Sequence, residues 1–195
     1  MASVRNPAIA SVVATGRSGV VAGVAGCLAM DALLYARYRA DGGESSFSAW
    51  EFRSVPTGFD DAPAPAKVGR MIAERVHVHL EDRFAGATNN VVHWATGIGW
   101  GVVAATFRLV PGVGPLKGGL LAGVTAWGTS YMVLSRLGIY KPITEYDAKT
   151  LWKDLSAHVV FGSAAGVCGA VAGQRWVTRW SSESGGRQPI QQSVR

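Results

Sequence analysis

Four long apolar stretches, separated by polar connections, dominate the pattern of hydrophobic and polar positions along this chain. A helix needs about 20 mainly apolar residues to cross the hydrocarbon core of a bilayer. The four stretches meet this requirement and predict spanning helices over residues 19–38, 90–110, 118–137 and 155–173. We therefore expect an all-α membrane protein with four transmembrane helices.

The segments outside these spans are polar or amphipathic. Between residues 67 and 84, apolar residues recur at three- and four-residue steps, which predicts an amphipathic interfacial helix lying in the membrane plane. On such a helix His77 and Glu81 are one turn apart and can share a ligand, although a solvated face is the simpler interpretation. Residues 1–18 are interpreted as an N-terminal tail, residues 19–173 as the membrane domain, and residues 174–195 as a basic, disordered tail.

An internal repeat relates the first two spans to the last two. Residues 19–25, GVVAGVA, match residues 119–125, GLLAGVT, and the second and fourth spans share the frame His-x3-Gly-x3-Gly. These matches predict a duplicated helical hairpin. Small residues at four-residue steps let helix backbones approach closely in membranes. The expected packing glycines are Gly19, Gly23, Gly97, Gly101, Gly119, Gly123, Gly162 and Gly166.

Polar side chains inside the predicted spans form the candidate site. Asp31 is the one charged residue in the interior of the first span, and its repeat partner in the third span is Tyr131. His93 and His158 open the second and fourth spans, at a depth near that of Asp31. Because polar groups in hydrocarbon are costly, we expect these four side chains to face the bundle interior and pair with one another as one polar layer.

Three interpretations of this polar layer stay open. In the first, Asp31 hydrogen-bonds to a histidine or tyrosine and fixes helix register without any cofactor. In the second, the layer relays protons or cations, since histidine titrates near neutral pH. In the third, His93 and His158 supply the two axial ligands of a b-type haem, or bind a transition metal together with Asp31.

Composition and charge agree with a membrane protein and disfavour several soluble classes. Hydrophobic residues make up 48% of the chain and charged residues only 16%, against about 25% in ordinary soluble domains. The net charge is +6, but the Lys and Arg residues flank the apolar stretches, so we expect no nucleic-acid partner. The two cysteines form no disulfide framework, and no dinucleotide loop, Walker loop or Ser-His-Asp ordering is present, so we expect a non-enzymatic protein.

The order of these motifs resembles that of a known family. A Gly-x3-Gly first span, a long Pro-containing connection and two His-x3-Gly spans are similar to the small bacterial inner-membrane proteins of the YagU-like kind. The resemblance covers about residues 19–173 and implies a multi-pass inner-membrane protein of unknown activity. It supplies no catalytic residue, and the connection containing Trp50 and the basic tail have no counterpart in it.

The sequence leaves the activity unassigned but favours a membrane subunit or small transport component. The expected partners are the lipid bilayer and either further copies of the chain or another membrane protein. An even number of spans places both termini on one side of the membrane. The short link and the tail on that side are almost purely basic, which favours cytoplasmic termini.

Overall fold

The computed structural model describes residues 7–52 and 58–185, with side chains described for residues 11–52 and 58–175. Within these ranges the chain is helical and contains no strand, as the sequence predicts. The α-helices are α1 (Pro7–Ala40), α2 (Phe47–Glu51), α3 (Ala64–Arg75), α4 (Ala85–Phe107), α5 (Pro115–Arg136) and α6 (Ala148–Gly185). Short 3-10 turns, Asp82–Phe84 and Ile143–Glu145, precede α4 and α6.

Four of these helices form an antiparallel bundle. Helix α1 packs most extensively on α6 and α4, and α5 closes the bundle by packing on α6 and α4. Helices α1 and α5 therefore lie at opposite corners. Gly19 faces Val102 and Gly23 faces Ile98, so α1 and α4 run in opposite directions.

Two helices of the described chain are long and apolar enough, by length and composition, to cross a membrane. They are the segment Ser11–Ala40 of α1 and the segment Ala148–Arg175 of α6. Helices α4 and α5 are 23 and 22 residues long. Their many Gly, Thr and Ser residues and their Trp residues lower their average hydropathy, so composition alone does not establish them as spans.

The packing of large and small residues is the reverse of that in a water-soluble helical bundle. Large apolar side chains usually fill the core of a soluble protein. Here the bundle core consists mostly of alanine and glycine, together with Cys27, Met30, Tyr131 and Phe161. Large apolar side chains instead lie on the outer faces of all four helices, among them Val20, Leu28, Val91, Leu121, Met132 and Val167.

The long helices extend beyond the predicted spans. Helix α1 begins at Pro7 rather than near residue 19, because proline is tolerated in the first turn and Arg17 alone does not interrupt a helix. Helix α6 continues to Gly185 rather than ending at residue 173. Much of both predicted tails is therefore helical, while residues 1–6 and 186–195 lie outside the described residues.

The predicted amphipathic helix over residues 67–84 is not continuous. Helix α3 ends at Arg75, and His77 has a φ of 59°, a left-handed conformation that no α-helix continues. The turn lets Leu80 pack against a small buried cluster formed by Phe59, Ala62, Ala66 and Ala85. The prediction that His77 and Glu81 lie one turn apart on a helix is therefore wrong.

Glycines bring the backbones of each hairpin into contact. A Cβ atom on Gly101 would fall on the backbone of Gly19 and Gly23. A Cβ atom on Gly162 would fall in the same way on Gly119 and Gly123. Only glycine fits such approaches, because any side chain would meet the backbone of the neighbouring helix.

These contacts show that the two hairpins differ in register by one turn. Since residues 19 and 23 correspond to residues 119 and 123, Gly101 occupies the place of Gly162 rather than that of Gly166. The two His-x3-Gly-x3-Gly frames match along the sequence, but in the folded hairpins they are offset from each other by four residues, which is about one helical turn. His93 consequently corresponds to Asp154, and His158 corresponds to Gly97.

Two glycine substitutions on α4 test this packing. Gly101→Ala should destabilise the bundle by about 1–3 kcal/mol, because the new methyl group meets the α1 backbone. Gly99→Ala is the matched control, since its Cβ would meet open space, and alanine favours a helix by about 0.5–1 kcal/mol relative to glycine. The measurement is the free energy of unfolding of the purified protein by denaturing detergent. Equal destabilisation by both substitutions would contradict the contact.

Candidate functional site

Asp31 and His93 form the most buried polar pair among the described side chains. Nε2 of His93 lies 3.1 Å from Oδ1 of Asp31, and the imidazole donates the hydrogen bond because an ionised carboxylate only accepts. Asp31 is only 4% exposed. The pair lies two helical turns from the contact between Gly23 and Gly101, which holds α1 and α4 close enough for the two side chains to meet.

The second oxygen of Asp31 has no hydrogen-bond donor among the side chains and backbone groups that the structure describes. Oδ2 is buried and accepts no hydrogen bond from any described residue. Carboxylates that stay ionised when buried usually accept two or three hydrogen bonds. Asp31 instead accepts one, from His93, so its charge is incompletely compensated.

A second carboxylate, Glu51, lies over this pair at the end of α2. The indole Nε1 of Trp94 donates to its Oε1 at 3.4 Å, and Nδ2 of Asn90 donates to its backbone carbonyl at 3.0 Å. The pKa of the Glu51 carboxyl is raised, first by burial and then by the negative charge of Asp31. Two carboxylates and one imidazole therefore lie within electrostatic reach of one another.

An aromatic cluster and an arginine hold this end of the bundle together. Arg37 donates from α1 to the backbone carbonyl of Lys153 at 2.7 Å and to Oγ of Ser156 at 2.8 Å, both on α6. Helix α2, which carries Glu51, is fixed against α1 by ring contacts. The rings belong to Tyr35, Tyr38, Phe47 and Trp50.

The other hairpin contains a separate polar centre around Asp154. The Tyr131 phenol interacts with the Asp154 carboxylate. Nδ1 of His158 lies 3.0 Å from the Asp154 backbone carbonyl and 3.5 Å from its carboxylate. The rings of Tyr140 and Tyr146 each pack 5.3 Å from the Tyr131 ring. Burial, followed by the negative charge of Asp154, raises the pKa of Tyr140 to about 12.

The four predicted layer residues thus belong to two centres rather than to one ring. Asp31 meets His93, whereas Tyr131 and His158 both meet Asp154. The sequence does contain a signal for Asp154, which lies one turn before His158, but the predicted fourth span begins just after it. Glu51 has no comparable signal, because it lies on a short helix in an irregular connection.

His158 lies apart from the Asp31–His93 pair, because it meets Asp154 instead. Within residues 11–52 and 58–175, whose side chains are described, no three His, Cys, Asp or Glu residues are placed to hold a metal ion together. His93 and His158 also have different hydrogen-bond partners. A b-type haem held by these two histidines stays a prediction.

Comparison with protein-family models, curated proteins and solved structures finds no match to this chain. The resemblance to YagU-like proteins therefore stays a prediction. What the chain does has to be inferred from its own geometry.

A double-substitution cycle tests the Asp31–His93 pair. His93→Leu should lower the free energy of unfolding by about 1–3 kcal/mol, because it leaves the buried carboxylate without a donor. Asp31→Leu combined with His93→Leu should be less destabilised than His93→Leu alone, since neither polar group remains.

The matched control for the cycle combines Asp31→Leu with His158→Leu. These two residues lie in different centres, so their effects on the free energy of unfolding should add within about 0.5 kcal/mol. The same additivity for Asp31 and His93 would show that the two side chains are not coupled in the folded protein.

Proposed function

We propose that this chain is a non-enzymatic integral membrane protein with four spans, acting as a membrane subunit or small transport component of the bacterial inner membrane. The observation that carries the proposal is the outward placement of large apolar side chains around a core of small residues. In water such a surface would be costly. In a bilayer it contacts lipid, while glycine and alanine let the helices pack closely.

The packing supports four spans rather than two. Helices α1 and α6 are apolar enough to cross a membrane. Helix α4 lies alongside α1 from the Gly19–Val102 contact to the Asp31–His93 pair, so the two helices share the same depth. Helix α5 lies alongside α6 over the glycine contacts described above. At about 1.5 Å per residue, α4 and α5 each exceed the ~30 Å of a bilayer core.

Charge supports an orientation in which the N-terminal end of α1, the C-terminal end of α6 and the α4–α5 link lie in the cytoplasm. The short α4–α5 link begins with Arg108, Lys117 lies in the first turn of α5, and residues 108–117 contain no acidic residue. It lies on the same side as Arg17 of α1 and Arg175 of α6. Short loops rich in Lys and Arg are retained on the cytoplasmic side.

The polar centres support a role within the membrane rather than catalysis on a soluble substrate. Ionisable groups inside a bilayer commonly belong to ion or proton pathways or to helix contacts. Asp31 and His93 provide such a group in one hairpin, and Asp154 and His158 provide one in the other. Lipid, further copies of the chain or another membrane protein would cover the apolar outer faces.

Cysteine labelling tests the four-span arrangement. In a background with Cys168→Ala and the buried Cys27 retained, Gly114→Cys and Glu145→Cys are compared with a membrane-impermeant maleimide on intact cells. We expect labelling of Glu145→Cys at once and of Gly114→Cys only after permeabilisation, because α5 places these positions on opposite sides.

Equal labelling of the two cysteines would contradict the proposal. If only α1 and α6 crossed the membrane, both positions would lie on one side and react together. Labelling of Gly114→Cys alone in intact cells would keep four spans but reverse the proposed orientation.

A further inference from the structure

We propose that Asp31 is a proton-binding site inside the membrane, loaded from the α2 side through Glu51 and His93. The inference rests on the proposed membrane function and names its ligand, a proton. It stands on the buried Asp31–His93 pair, on the unsatisfied Oδ2 of Asp31 and on the position of Glu51 above them.

Asp31 is the least exposed of the three groups. Glu51 is half-buried on α2, the His93 side chain is 24% exposed, and the Asp31 side chain is 5% exposed. Trp94 fixes the Glu51 carboxylate against α4, next to the residue that donates to Asp31. A proton entering from water therefore meets a carboxylate, then an imidazole, then the buried carboxylate.

The charges of the cluster favour uptake of a proton. Glu51 and Asp31 carry two negative charges, and His93 offsets at most one of them. The described residues around this part of α1 include a thiol, two apolar side chains and an arginine that donates elsewhere. The Cys27 thiol lies one turn away on α1, α6 presents Ala157 and Phe161, and Arg37 is bound to α6. A net negative cluster in low dielectric is stabilised when it becomes neutral.

The proton reaches Asp31 through the imidazole of His93, in two transfers. An incoming proton bonds to Nδ1 of His93, which becomes an imidazolium ion. The Nε2–H bond then breaks and its proton bonds to Oδ1 of Asp31, 3.1 Å away. The imidazole is left neutral with its proton on Nδ1, and Asp31 becomes a neutral carboxylic acid.

A proton fits this site better than a metal cation does. A bound cation requires several oxygen or nitrogen ligands. No third His, Cys, Asp or Glu in the part of the chain that the structure describes completes such a set with Asp31 and His93. A proton requires only the free lone pair that the carboxylate offers.

Infrared difference spectroscopy of the full-length protein in lipid nanodiscs tests the proposal. On acidification, we expect a protonated-carboxyl C=O band from a buried group. Asp31→Asn should abolish the band, whereas Glu44→Gln, which removes an exposed carboxylate on the same side of the bundle, should leave it unchanged. Glu51→Gln should slow the appearance of the band after a rapid drop in pH, because it removes the first proton acceptor on the proposed route.

Several results would overturn the inference. They are the absence of the band in the wild-type protein, its persistence in Asp31→Asn, and its displacement by sodium at constant pH, which would identify a cation as the occupant. If Asp31→Asn fails to fold, carboxyl-13C aspartate in the wild-type protein replaces it. The band must then shift, and an unshifted band would exclude an aspartate. Cysteine labelling tests the four spans independently. A failure of the proton site at Asp31 can therefore be distinguished from a failure of the four-span proposal.

Discussion

The backbone contact between α1 and α4 fixes the geometry on which the polar centre depends. Gly19, Gly23 and Gly101 remove the side chains that would otherwise separate the two helices. The thiol of Cys27 fills the space beside Gly97, one turn further along. Two turns from the closest contact, the same approach brings Asp31 to His93. A wider separation would leave Asp31 buried with no donor, which would be costly in any apolar surrounding.

The two hairpins, α1 with α4 and α5 with α6, share glycine contacts between their helices but contain different polar groups. Each hairpin uses glycine contacts to bring its helices together, and each holds one buried or half-buried carboxylate near the same end. In the first hairpin the carboxylate is on the first helix and histidine is its partner. In the second, Asp154 is on the second helix and Tyr131 is its partner. The one-turn difference in register accounts for this exchange, because it places Asp154 where the first hairpin has His93.

Sequence patterns predicted the helices and the inward position of Asp31 because both follow from composition and helical period. The partners of the polar residues were harder to predict. Two His-x3-Gly-x3-Gly frames look equivalent along the chain, and only the interhelical contacts reveal that Gly101 matches Gly162. The sequence pattern also predicted a helix that continues to residue 84, whereas α3 ends at Arg75, and the reason is different. His77 adopts a left-handed conformation with neither glycine nor proline to signal it, and Leu80, after the turn, packs against the cluster that contains Phe59.

The most direct test of this account is the contact between Asp31 and His93 in a lipid bilayer. Solid-state NMR of isotopically labelled protein in liposomes can detect the proximity of the Asp31 carboxyl carbon and the His93 imidazole nitrogens. The structure predicts a correlation between Asp31 and Nε2 of His93, with none to His158. A correlation of Asp31 with lipid acyl chains, or with His158 in place of His93, would contradict the account.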